Sequence, residues 1–149
     1  MTDLAAADRF STAKTDSPYW NENSWFSISV PERRLHGLIQ HFFRPNMNIL
    51  NGGPVIWDQS GVFQWNCLHY NWSHLQAIPP GAEKFDVVAR NSLSVKVVEP
   101  LARYKIDYDR DGLAMDLVWN AIGPMHKTPA KLSLSSSPSL SSAAQVSYT

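Results

Sequence analysis

A single cysteine, Cys67, in 149 residues leaves no partner for an intramolecular disulfide, so a disulfide-stapled secreted scaffold is excluded. An excess of charge of either sign is also missing. Thirteen basic and 13 acidic side chains cancel, and the isoelectric point near 7 removes the electrostatic footing of a nucleic-acid partner. Charged residues make up 17% of the chain, below the roughly one quarter that is usual. No apolar run approaches the roughly 18 residues that a membrane helix needs. The opening MTDLAAADRFSTAKTDS lacks a basic segment followed by an apolar one, so it is not read as a secretory signal. The expectation is a cytoplasmic protein with no membrane span and no nucleic-acid partner.

Aromatic residues are plentiful instead. Six Trp, six Phe and five Tyr bring them to 11% of the chain, and each has area to bury. Three zones differ in composition. Residues 1–18 are small and polar, with a short helical possibility from Asp3 to Arg9, and read as a flexible, frayed N-terminus. Residues 19–128 carry every Trp and His. From Pro129 the text becomes AKLSLSSSPSLSSAAQVSYT, and 129–149 reads as a disordered, Ser-rich tail.

The middle zone alternates with period two. Phe26, Ile28 and Val30 share one face of a first run, with Ser27 and Ser29 on the other. Pro31 to Arg34 supplies a turn, and Leu35 to Phe43 is a second extended run. Asn51-Gly52-Gly53-Pro54 is expected to break the chain. Val55-Ile56-Trp57 then leads into a hairpin turn at Asp58 to Gly61, with a long return strand from Val62 to Trp72. Leu93, Val95 and Val97 alternate with polar residues, and so do Ala102, Tyr104, Ile106 and Tyr108. After a turn at Asp109 to Gly112, Leu113, Met115, Leu117 and Trp119 do the same. No 3.6-residue apolar period persists for three turns. The fold class is all-β: an antiparallel meander that closes into a small barrel by itself or forms part of a larger β structure.

Few residues suggest chemistry. His69 and His74, like His36 and His41, are five apart and would point to opposite faces of a strand. No HxH, HExxH or CxxC pair occurs, so neither metal nor cofactor is expected. Neither a nucleophile elbow nor a phosphate-cradling loop is present. A general acid needs a carboxyl kept protonated by an apolar setting, and the candidates are Glu22, Asp58, Asp86 and Asp116. Asp58 opens a turn and Asp116 is ordinary if its face is solvent; with His69 they are the weak catalytic candidates. The aromatic text around the first hairpin mixes bulky apolar groups with a few hydrogen-bonding ones. Such a mixture lines a pocket for an apolar ligand, or equally fills a barrel core. Trp57, Trp65, His69, Tyr70 and Tyr104 are the candidate ligand-binding residues.

The segments YWNENSWFSISVPERRLHG, VIWD and NSLSVKVVEPLARYKIDYDRDGLAMDLVWNAIGP resemble an uncharacterised bacterial family of the lipocalin-like superfamily of hydroxyneurosporene synthase, the carotenoid hydratase. The resemblance spans residues 19–128 and rests on strand-and-turn text. It implies a lipocalin-like β domain and an apolar small-molecule partner such as an isoprenoid, steroid or lipid. It also implies a cofactor-independent hydratase (lyase) or isomerase activity in the complete protein; no catalytic residue of that branch maps onto a position here. Members of the family are longer, with a second β half. The expectation is therefore a truncated or frame-shifted chain, the first half of a longer architecture, with strand edges open to self-association. The alternative is a noncatalytic interaction module or a fragment without independent activity.

Overall fold

Proline presets φ for a tight turn. Two copies of that device shape the first sheet in the computed structural model, which describes residues 4–11 and 16–123. β1 (Glu22–Val30) passes through Pro31–Arg33 into β2 (Leu35–Arg44), and β2 through Pro45–Met47 into β3 (Ile49–Trp57). Each connection ends on a left-handed residue, Arg34 at φ 50° or Asn48 at φ 54°. Its N–H donates to the proline carbonyl at 3.0 Å. The registers Val30↔Leu35 and Arg44↔Ile49 follow. The far side of β3 is shared by β4 (His69–Tyr70) at one end and β5 (Ser73–Ala77) at the other.

The second sheet runs in chain order: β6 (Val87–Val88), β7 (Ser94–Glu99), β8 (Arg103–Arg110) and β9 (Leu113–Asn120). Asp111 and Gly112, both at positive φ, make the two-residue turn that matches strand twist between β8 and β9. Every strand pairing is antiparallel, so the meander expected from the alternation is the observed fold.

The sheets pack face to face. Phe26 and Ile39 of the first meet Leu93, Val95, Tyr104, Ile106 and Tyr108 of the second. A separate cluster joins Phe43 and Leu50 to Val87 and Ala89. The sheets do not close into a barrel: among the described residues β1 pairs only with β2 and β9 only with β8. No helix among those residues is long and apolar enough to cross a membrane.

Three expectations need correction. Asn51 to Pro54 does not break the chain but runs through the middle of β3; the turn lies earlier, at Pro45–Met47. The glycines are there for close backbone approach. A Cβ on Gly52 would lie 2.0 Å from the Gln40 carbonyl on one side, and one on Gly53 1.8 Å from the Asn71 carbonyl on the other.

The long strand Val62 to Trp72 also fails. Only His69 and Tyr70 pair with β3 there, and Gln64–Asn66 coils into a 3-10 turn. Neither face of that segment is purely apolar. Pairing all of it would have buried Gln64 and Asn66 or exposed the rings anyway.

The frayed N-terminus is, over residues 4–11, a docked segment. Leu4–Asp8 forms a 3-10 turn. Asp8 is buried, accepting from the Tyr104 hydroxyl at 2.6 Å and the Leu101 N–H at 2.9 Å. Phe10 sets its ring edge-on to Phe43 at 4.8 Å, and its N–H donates to Glu83 at 2.8 Å. The Ser-rich tail of 129–149 lies outside the described residues.

Candidate functional site

The turn after β3 begins as its sequence suggests. Asp58 accepts from the Ser60 hydroxyl at 2.6 Å and the Ser60 N–H at 2.8 Å, and Gly61 N–H returns to the Asp58 carbonyl. Beyond it the chain arches away from the sheet. Asn66 N–H donates to the Phe63 carbonyl and Cys67 N–H to that of Gln64. This arch turns its apolar residues outward. Phe63 and Trp65 stack with centroids 4.7 Å apart and planes 11° from parallel, while 54% and 75% exposed respectively. Val62, Leu68 and Tyr70 are exposed beside them in sequence. This concentration of exposed apolar residues makes the segment a candidate binding surface.

The arch is pinned at its end by His69. Its Nε2 lies 2.9 Å from the hydroxyl of Tyr108, which is buried in the second sheet. Burial lowers the His69 pKa, opposed by the nearby Asp111 charge, and burial raises that of Tyr108. At neutral pH both are therefore uncharged, and the imidazole and the phenol share one neutral hydrogen bond. The pair ties β4 to β8.

The five expected ligand-binding residues do not converge. Trp65 and Tyr70 belong to the exposed aromatic segment. Trp57 is half-buried at the end of β3, its ring 6.4 Å from that of His36. Tyr104 lies in the core on the other sheet, where burial and then the bond to Asp8 push its hydroxyl pKa up.

Each candidate acid either has polar partners or lies exposed. Hydrogen bonds from Ser60 hold the Asp58 pKa below the ordinary carboxylate value. Asp116 is 74% exposed on the outer face of β9, 3.8 Å from Lys105. Glu22 accepts from the Ser11 N–H and hydroxyl and pairs with Lys84 at 3.6 Å. Asp86 is exposed in a tight turn closed by backbone bonds with Glu83. Among the described residues no three His, Cys, Asp or Glu side chains group as metal ligands would.

Two features escaped the sequence reading. Ser24 and His41, opposite each other on β1 and β2, are both buried on the core face, and neither the hydroxyl nor either ring nitrogen has a partner. Burial alone drives the His41 pKa down to about 4. The other is an open polar cleft of about 430 Å³ where β5, the connection before β7 and the end of β8 meet, lined by Asn71, Ser73, His74, Gln76, Arg90, Asn91 and Arg110. No local motif announces it, because its residues come from three segments. No protein-family model matches this chain, and neither does any curated protein or solved structure, so what its surfaces can do follows from their own residues.

Proposed function

We propose that this chain is a β-sheet binding domain that takes up an apolar small molecule on its exposed aromatic segment. The observation that carries the reading is the Phe63–Trp65 stack, a flat aromatic platform held outside the core. The space between the sheets is filled by Phe26, Ile39, Leu93, Ile106 and Tyr108, so the ligand is assigned to the surface. Parallel rings suit a planar or extended apolar body, such as the isoprenoids and steroids that the lipocalin-like resemblance implies. No chemical step is assigned, since the acids considered lie in polar or exposed positions.

The test is a tryptophan-fluorescence titration of the full chain with retinol, a polyene, and progesterone, a steroid. Saturable quenching should weaken about fivefold or more in Trp65→Ala, in line with the ~1 kcal/mol of an aromatic contact. It should survive in Trp57→Phe. Quenching that is absent, or identical in both variants, would remove the proposal.

A second reading, a noncatalytic module that pairs with a further β edge, is favoured by the open sides of β1 and β9. Both are long, and Trp25, Val118 and Trp119 are exposed on them. It predicts a mass that rises with concentration in light scattering, unchanged by Trp65→Ala.

A further inference from the structure

The polar cleft is built around one backbone position. The Arg90 N–H donates to Gln76 Oε1 at 2.9 Å, and its carbonyl accepts from Arg110 Nη1 at 3.2 Å. Gln76 comes from β5 in the first sheet and Arg110 from β8 in the second, so both sheets hold this point. Asn91, the next residue, is buried and donates from its amide to the Gly52 carbonyl at 3.1 Å and the Asn71 carbonyl at 3.4 Å. The backbone at Arg90 and Asn91 is therefore held from both sheets.

Two groups are left over. Bonding through Oε1 fixes the Gln76 amide so that Nε2 is the remaining end; it is buried without a partner, on a residue only 8% exposed that lines the cleft. A buried donor with no acceptor costs about 1–3 kcal/mol, a cost that a ligand acceptor would relieve. The second group is the Arg90 guanidinium, exposed at the cleft and, among the described residues, in no hydrogen bond or ion pair. Arg110 is partly balanced, its Nε lying 3.7 Å from Asp111, which also accepts from Asn71 Nδ2 at 2.9 Å. Two guanidiniums against one carboxylate leave one positive charge unopposed.

We propose that this cleft binds a small oxyanion, the carboxylate or phosphate group of a small molecule. Gln76 Nε2 donates from the buried floor, and the planar fork of Arg90 closes over the anion from the rim. A planar guanidinium matches both oxyanions in geometry as well as charge, and the ~430 Å³ cleft has room for more than the anionic group alone. The inference is independent of the aromatic segment, which is built from other residues.

The experiment is an NMR titration of the 15N-labelled full chain with sodium phosphate and, in a second arm, sodium acetate, each at constant ionic strength balanced with chloride. Saturable shifts are expected in the side-chain amides of Gln76 and Asn91, with the arm that saturates first naming the preferred anion. Arg90→Ala, at an exposed and unbonded side chain, should weaken binding about tenfold or more, the usual loss for a charge-assisted bond. Gln76→Met removes the floor donor at similar size and should weaken it by a comparable factor. If Gln76→Met unfolds, Arg90→Ala decides the matter alone. Shifts that do not saturate with either anion, or that persist unchanged in Arg90→Ala, would overturn the assignment.

Discussion

His41 shows how much one side chain can govern. Its imidazole lies between the two apolar clusters on the core face of β2 with no hydrogen-bond partner, and burial lowers its pKa from 6.5 to about 4. Between those values the unfolded chain binds the proton and the folded chain does not. Stability is therefore complete above pH 6.5 and falls as pH drops towards 4, by about 3 kcal/mol in all. Urea midpoints at pH 7 and pH 4.5 measure the fall. His41→Leu should flatten that dependence and leave stability at pH 7 unchanged or raised by about 1 kcal/mol, because it removes two unsatisfied nitrogens from the core. A steep acid loss retained in His41→Leu would show that another group controls it. Gly53 governs in the opposite way, through what it lacks. At φ 154°, with the Asn71 carbonyl where a Cβ would sit, Gly53→Ala should cost more than about 2 kcal/mol, read as a lower urea midpoint.

Among the elements, β1, β8 and β9 were legible because large apolar residues recur at every second position, Phe26 and Ile28, Tyr104 to Tyr108 and Leu113 to Trp119, which favours one face for the core. β3 was not. Its Gly-Gly-Pro run looks like a break until Gln40 and Asn71 are seen crowding it from both sides, and those neighbours are far away in sequence. The segment from Val62 to Trp72 misled for a related reason: its many aromatic residues read as a strand, but mixed residues on both faces gave no side worth burying. The oxyanion cleft was illegible, since Gln76, Arg90 and Arg110 acquire meaning only where two sheets meet. The N-terminal segment makes its own prediction. Deleting residues 1–11 removes the Asp8 bonds and the Phe10 ring contact, and should lower the melting temperature by several degrees, at about 3–4 °C for each kcal/mol lost. Tyr104→Phe should produce a smaller drop, of about 1 kcal/mol. Equal melting of the deletion and the full chain would mean that the segment contributes nothing.

At the scale of the whole molecule, two meanders are joined by shared core and by a handful of polar ties: His69 to Tyr108, Asn91 to Gly52, Gln76 to Arg90. Their outer edges stay open. If those edges are sticky, adding lysine on β9, as Val118→Lys, should suppress any concentration-dependent mass without lowering the melting temperature by more than about 2 °C, since Val118 is exposed.

The bonds of Asp8 have a consequence for how the chain is made. Every strand pair joins segments that follow closely in sequence, so each sheet can zip up as soon as its own residues leave the ribosome. Asp8, in contrast, waits for Leu101 and Tyr104, 93 and 96 residues later. Synthesised before both sheets, this segment is clasped only when the start of β8 has emerged, and that delay leaves it free in the interim to reach the second sheet of a neighbouring nascent chain instead of its own.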